Sequence, residues 1–363
     1  MTPGVHTSEI RVRLKEVAYD HVYFGTVFTW FEVGRSEFSR AVGSPYRQLE
    51  ERGLGSFVTS AFADYHRPIP PTGTVRLETR LAAMTRARCT FRYAVYPSCS
   101  TEPAVTGQSD HLMADLDGRP RRIPAPFAAS MTATGETIDT VELDGPVETA
   151  WTDRLRVRYE ETDAFRVVYH GNYFAWMEAA WSGHLMGGLW DIALNMRRGR
   201  ALSVLHAACR YLFPAQYDDE VTTEVGAVQI GRTKIRLDYR FAAVTPSGTP
   251  GKTLALGRTI HAVIDGGRIV RVPSDLRDAL GVTPIPEATR PTPTDCGYEH
   301  DDERVRDDRV VLVIQDDAVR VRADENAGRI RRSRSDDPEV HRIRALKLDL
   351  VPDVRGNKAV KPG

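Results

Sequence analysis

Arg156-Val157-Arg158-Tyr159-Glu160-Glu161, followed by Val168-Tyr169-His170-Gly171 and Trp176-Met177-Glu178, is text the chain has already spelled once. The earlier version is Arg11-Val12-Arg13-Leu14-Lys15-Glu16, then Val22-Tyr23-Phe24-Gly25, then Trp30-Phe31-Glu32. Trp30 and Trp176 stand 176 − 30 = 146 positions apart, and Pro68/Pro214, Arg86/Arg232 and Tyr93/Tyr239 keep that offset. Gly107/Gly257 and His111/His261 are 150 apart, so an intervening loop has grown by 150 − 146 = 4 residues. A repeat of this length is a duplicated domain rather than a solenoid unit. Two copies in one chain predict a covalent counterpart of a homodimer.

Each copy follows one order. A short alternating strand comes first (Ile10, Val12, Leu14; Leu155, Val157, Tyr159), and a loop and a helix follow. Val27, Phe31, Phe38 and Val42 recur at helical spacing in the first copy; Phe174, Met177, Trp181 and Leu185 do so in the second, where Gly187-Gly188 ends the run. Strands are expected over 56–65, 74–83, 89–96 and 105–116, and again over 201–212, 220–229, 234–244 and 253–265. One early helix and then consecutive strands describe an α+β unit with an antiparallel sheet wrapped around its own helix. The first repeat spans 8–124 and the second 150–280, with a small, polar linker over 125–149. Residues 281–363 read as a Pro-rich hinge and a tail dense in Asp and Arg, mostly disordered, with one strand or hairpin near Val310.

The bulk composition narrows the function classes. Lys+Arg and Asp+Glu are both 49, giving zero formal charge, which argues against nucleic acid or an anionic membrane as partner. The N-terminal residues lack an apolar signal region, and no apolar run is long enough to span a bilayer. Cys89, Cys99, Cys209 and Cys296 form no C-x-x-C pair, so a disulfide framework and a zinc site are not expected and a reducing cytoplasm is the expected location. The abundance of Arg and Asp hints at a GC-rich bacterial genome.

The stretch richest in chemistry is Glu161-Thr162-Asp163-Ala164-Phe165-Arg166-Val167-Val168-Tyr169-His170-Gly171-Asn172-Tyr173. It carries an acid, a strand-like link and a helix start. The first turn of a helix exposes unpaired N–H groups with partial positive charge, which stabilise an oxyanion formed at a carbonyl. A carboxylate on a loop returning beside that turn can attack the same carbonyl or activate a water against it. Together these groups constitute machinery for acyl transfer to water.

This stretch resembles the signature of the hotdog-fold thioesterases of the 4-hydroxybenzoyl-CoA type, which include Tol–Pal-associated acyl-CoA thioesterases. Their D-x-D-x-x-G-x-V-x-[YH]-x-x-Y run fits Asp163, Val167, Tyr169, His170, Asn172 and Tyr173. The resemblance implies a tandem hotdog, with the two units packed as an intrachain pseudo-dimer, sheets joined edge to edge. It implies hydrolysis of an acyl thioester carried on coenzyme A or on an acyl-carrier protein, with no metal or redox cofactor. It assigns Asp163 as the catalytic carboxylate and the His170 N–H as the thioester-oxygen donor. Tyr169, Asn172, Tyr173, Phe165 and Arg166 fall at the substrate, and Thr59 and Ser60 of the first repeat are expected to form the opposite wall. Association of such pseudo-dimers into larger oligomers stays open.

Two departures qualify the resemblance. The family usually has Gly at the position of Arg166, and often at that of Phe165. In the first repeat the loop Glu16–Phe24 is one residue shorter, so the acid position falls on Val17 or Ala18 and at most one equipped site is expected. Alternatives are a hotdog dehydratase or hydratase and a non-catalytic acyl-binding scaffold. Glu178 on the central helix is the second choice of acid, although its match with Glu32 reads as structural. His206, His111 and His261 also read as structural, and Arg197, Arg198 and Arg200 as a solvated loop that could otherwise meet phosphates.

Overall fold

Helical spacing of the large apolar side chains and strict alternation elsewhere produce the expected elements. The computed structural model describes residues 4–281, apart from 99, 147, 187 and 189 (and backbone alone at 227–229), together with the backbone of 311–315 and 318–322. The first repeat comprises β1 (Val5–Arg11), the short pair β2 (Val17–Ala18) and β3 (His21–Val22), helices α1 (Thr26–Ala41) and α2 (Arg47–Glu50), and strands β4 (Leu54–Tyr65), β5 (Thr74–Met84), β6 (Arg88–Pro97) and β7 (Val105–Asp115). After α3 (Ala125–Ser130), the second repeat comprises β8 (Trp151–Arg156), α4 (Asn172–Leu185), α5 (Ile192–Arg197), β9 (Arg200–Tyr211), β10 (Glu220–Ile230), β11 (Lys234–Val244), β12 (Pro250–Asp265), β13 (Arg268–Val270) and α6 (Ser274–Ala279). The two predicted central helices and ten predicted strands are present with ends shifted, but the opening strands stop at Arg11 and Arg156, and Leu14 and Tyr159, expected in them, are exposed residues that open short 3-10 turns.

The strands form one antiparallel sheet in the order β1-β5-β6-β7-β4-β9-β12-β11-β10-β8, with β13 on β12. Its two halves mirror each other in connectivity and meet at the β4–β9 seam. Along that seam Ser60 pairs with Arg210, Phe62 with Ala208, and Asp64 with His206. Phe62 and Ala208 are 208 − 62 = 146 apart, so at this pair a residue meets its own repeat equivalent, and a local twofold axis passes between them. The helices say the same. Phe28 of α1 stacks on Phe174 of α4 with ring centroids 3.5 Å apart and planes 6° from parallel, and 174 − 28 is again 146. Both rings are fully buried. Burial of such a ring is worth about 2–3 kcal/mol, and the pairing adds about 1 kcal/mol. This is the double hotdog, two sheet-wrapped helices face to face across a pseudo-twofold.

Each sheet wraps its helix closely. Gly107 of β7 and Gly257 of β12 lie under the helix: a Cβ at Gly107 would meet the Phe31 ring at 2.6 Å, and one at Gly257 the Met177 methyl at 2.3 Å. Any larger residue would lift the helix off the sheet. A second shared device locks the loop before each helix. Glu16 accepts from the Arg13 N–H (2.8 Å) and from Trp30 Nε1 (3.2 Å). Glu161 likewise accepts from the Arg158 N–H (2.7 Å) and Trp176 Nε1 (2.9 Å). Both carboxylates are held below the usual range against the cost of burial by these donors and by the adjacent arginine.

The segment between repeats is more than a tether. Phe127, Met131 and Leu143 are buried, and the chain bonds along the first repeat through Thr134 N to Leu81 O (2.8 Å) and Gln108 Nε2 to Asp139 O (2.7 Å). Its polar composition concealed this because few apolar anchors suffice when the rest of a segment runs along a sheet. Leu276 of α6 and the following Leu280 are buried at the end of the second repeat. Both repeats belong to one compact unit. Taken by itself, the tail contains a two-stranded ladder of β14 (Val311–Gln315) and β15 (Ala318–Arg322), at the hairpin expected near Val310. The reading of the rest of 281–363 as hinge and disordered tail lies outside the described residues.

Candidate active site

Asp163 stands on a narrow return loop. Its N–H donates to Val167 O (2.9 Å), Arg166 N–H donates back to Asp163 O (3.0 Å), and Tyr169 N–H donates to Glu161 O (2.8 Å). Phe165 N–H donates to Asp163 Oδ1 at 2.8 Å, which fixes the carboxylate rotamer. The Val167 N–H and the residue's own N–H also lie close enough to the carboxylate to favour its ionised form. Burial pushes the Asp163 carboxyl above its ordinary range, with the backbone donors pulling partly back. A carboxylate that is half-buried, fixed in position and raised in pKa is suited to act as base or nucleophile.

The tight return explains the departure at 166. Arg166 has φ +62°, in the left-handed region where Gly is unstrained. Arg166 therefore occupies a glycine conformation with its side chain in solvent. Phe165 turns the other way, onto the first repeat: its ring lies 5.1 Å from that of Phe57, and a Cβ at Gly55 would touch it. Gly55 and Phe57 of β4 are thus the first-repeat residues that meet the Asp163 loop. Thr59 and Ser60, expected there, are directed elsewhere. Thr59 Oγ1 donates to Asp110 O (3.2 Å) and Ser60 Oγ to Asp110 Oδ2 (2.5 Å). A bulge between Val58 and Ser60 shifts the alternation that the sequence alone would have extrapolated.

At the other end of the loop, the His170 N–H meets no acceptor among the described residues. The His170 carbonyl accepts from Tyr211 OH at 2.9 Å, which pins the peptide just before α4. The His170 imidazole is held well below its ordinary pKa, first by desolvation and then by the Arg35 charge, so it is neutral at neutral pH. Asn172 donates its side-chain amide to Glu161 O (2.7 Å), and Tyr173 is buried against Tyr211 and Phe241. These two build the helix start. Tyr169 reaches across the pseudo-twofold, its OH 3.4 Å from Phe28 O of α1.

The first repeat reproduces the donor half and omits the acid. Tyr65 OH donates to Phe24 O (2.8 Å) as Tyr211 does to His170 O. The bridge between Thr162 and Val168 corresponds to the pairing of Val17 with Val22, which places the acid position on Ala18. Asp20 is spent on His21 Nδ1 at 2.7 Å and is exposed.

The remaining candidates fall away from this centre. Glu178 is pushed up by burial, its carboxylate bonded by Ser182, while its equivalent Glu32 accepts from Ser36 Oγ at 2.7 Å. His206 pairs with Asp64 across the seam at 2.7 Å. His111 and His261 are buried on hydroxyls of Ser109 and Thr259. Arg200 is taken by Asp265 at 2.8 Å. Among the described residues no group of three or more His, Cys, Asp or Glu could hold a metal ion, and no helix is long and apolar enough to cross a membrane. Sequence reasoning missed Tyr211 and Phe57. The Tyr65/Tyr211 pair, 211 − 65 = 146 apart, was a usable signal for the first; nothing in sequence marked the second.

A family model described as "Thioesterase-like superfamily" matches the chain twice, over residues 12–132 and 157–280. The chain belongs to the Thioesterase-like superfamily. The two matches coincide with the two hotdog units. A conjectured esterase of Aquifex aeolicus (strain VF5) is 27% identical over 127 residues, 35% of this chain and 94% of its own. A 1,4-dihydroxy-2-naphthoyl-CoA hydrolase of Synechococcus elongatus is 27% identical over 131 residues, 35% of this chain and 92% of its own. Among solved structures, a 12:0-ACP thioesterase from Umbellularia californica superposes with a TM-score of 0.58 at 12% identity, over 73% of this chain and 99% of its own, a span that takes in both hotdogs.

Proposed function

We propose that this superfamily member hydrolyses acyl thioesters at one site per chain, built by the second repeat's loop against the first repeat. The observation that carries the reading is the coincidence, in that repeat alone, of the half-buried, loop-held Asp163 carboxylate and a pinned helix start whose His170 N–H meets no acceptor among the described residues. The thioester oxygen would lie on the His170 N–H, where the developing oxyanion gains most from a fixed donor and the helix terminus. Asp163 would take a proton from water as that water attacks the carbonyl carbon. The tetrahedral intermediate would then collapse, breaking the C–S bond as the proton held by Asp163 passes to the leaving thiolate, which releases a carboxylic acid and the thiol and restores the carboxylate. Direct attack by Asp163, with an anhydride then opened by water, uses the same groups.

The handle of the substrate is coenzyme A or the phosphopantetheine arm of an acyl-carrier protein, which the naphthoyl-CoA hydrolase supports for coenzyme A. The test is thiol release from a panel of acyl-CoA and acyl-carrier substrates, followed with a thiol reagent. Absence of release across the panel would refute the reading.

A further inference from the structure

The helix that faces the Asp163 loop carries a buried cation with no counter-ion. Arg35 of α1 is 5% exposed. Its Nη1 donates to Tyr93 OH at 3.1 Å. Among the described residues it makes no ion pair, and its Nε and Nη2 bond to nothing, yet neither is sealed from solvent. Glu32, one turn earlier, is occupied by Ser36. An unpaired buried charge costs several kcal/mol and persists only where something repays it.

A unit of this fold does not require the cation, and the chain holds its own comparison. The residue equivalent to Arg35 in α4 is 35 + 146 = 181, and it is Trp181. The relay beneath it is repeated, although Tyr46, which also acts on Arg35, has Ile192 as its equivalent. Tyr93 OH shares a hydrogen bond with Ser109 Oγ (2.6 Å), and Ser109 with His111 Nε2 (2.8 Å). In the second copy Tyr239 OH meets Thr259 Oγ1 (2.8 Å) and Thr259 meets His261 Nε2 (2.7 Å). Trp181 stands edge-on to His261 at 5.3 Å. The same hydroxyl relay thus lies under an indole in one copy and under a guanidinium in the other.

The copy with the cation is the copy that the acid faces. Tyr169, one residue before the proposed oxyanion donor, reaches α1 at Phe28 O; the Arg35 charge is felt at both Tyr169 and His170, and the Glu32 carboxylate opposes it at Tyr169. The loop that faces α4 and Trp181 belongs to the first repeat and has Ala18 in place of the acid. Acid and unpaired cation therefore coincide at a single site. We infer that the acyl group hydrolysed here carries its own carboxylate, bound by the free N–H groups of Arg35 beside Tyr93 OH, so that the substrate is an ω-carboxyacyl thioester. A guanidinium presents paired donors that match a carboxylate, and the buried setting makes the match selective. This specificity rests on the thioesterase reading of the Asp163 site.

The test compares ω-carboxyacyl-CoAs of four to eight carbons with methyl-ended acyl-CoAs of equal length, on the wild-type protein and on Arg35→Met and Arg35→Lys. The wild-type kcat/KM is expected to favour a carboxylate-ended chain by about tenfold or more. Arg35→Met should lose about 10²-fold on that chain, as for one partner of a buried charge pair, and little on the methyl-ended one. Arg35→Lys should fall between them. Faster or equal hydrolysis of methyl-ended chains by the wild type would overturn the inference while leaving the thioesterase reading in place. Should no chain release thiol, the thioesterase reading fails, and calorimetric binding of adipoyl-CoA against hexanoyl-CoA decides the inference: equal affinities overturn it, a preference for adipoyl-CoA that Arg35→Lys weakens supports it. If Arg35→Met does not fold by circular dichroism, the wild-type preference and Arg35→Lys suffice.

Discussion

Replacement of Asp163 by Asn separates chemistry from architecture, because the amide keeps the shape of the carboxylate and an oxygen to accept from the loop. Asn can still accept the Phe165 N–H that Asp163 Oδ1 accepts at 2.8 Å, so the loop should hold its shape. What is lost is the basicity of Oδ2. General acid–base help is worth about 10²–10⁴-fold, so kcat should fall by at least about 10²-fold, or roughly 3 kcal/mol of barrier, with KM little changed. Stability should move the other way. Burial raises the Asp163 pKa in the folded state, so the stability it confers is complete below the unfolded value and is lost as pH rises through the folded one. At neutral pH the ionised group therefore weighs against the fold, and Asp163→Asn should melt at the same temperature as the wild type or higher. The assays are thiol release under saturating substrate and a thermal melt at neutral pH. Loss of turnover together with a lower melting temperature would mean that Asp163 is structural; full turnover would move Glu178 to the front.

Further outcomes follow from the same geometry. The pH profile of kcat/KM should rise with one ionisation above the ordinary Asp value and then stay flat through pH 6.5, because His170 is neutral there; His170→Ala should keep that limb and cost less than Asp163→Asn, and a bell centred near 6.5 would contradict the neutral imidazole. Tyr211→Phe removes the hydroxyl that pins the His170 carbonyl and should lower kcat by about two- to tenfold, the net worth of one hydrogen bond, whereas Tyr65→Phe should leave turnover alone; equal effects would argue for two working sites. Arg166→Gly frees a residue held at φ +62° and should raise the denaturation midpoint, by no more than about 1 kcal/mol since Gly also loosens the unfolded chain; a lower midpoint would mean that the Arg166 side chain holds the loop. Phe28→Ala should cost about 3–5 kcal/mol, and a double-mutant cycle with Phe174→Ala should give a coupling above 0.5 kcal/mol if their stack ties the repeats together.

The sequence by itself determined the duplication, and with it most of the fold. An offset of 146 held by Trp30/Trp176, Pro68/Pro214 and Tyr93/Tyr239 requires two units of one architecture. Period and alternation within each then place a helix and its strands, since these depend on neighbours only a few residues away. It also singled out Asp163 and the helix start at His170, because a loop acid and the following turn lie within one short stretch. Only the tertiary structure decided what those groups face. The bulge in β4 exchanged Thr59 and Ser60 for Gly55 and Phe57, and the pseudo-twofold brought the second repeat's loop onto the first repeat's helix. That crossing sets the Asp163 loop against the helix that carries Arg35 rather than the one that carries Trp181. Contacts such as Tyr169 with Phe28, 141 residues apart, leave no periodic trace in either segment, because each side chain satisfies only the surface it meets across the axis.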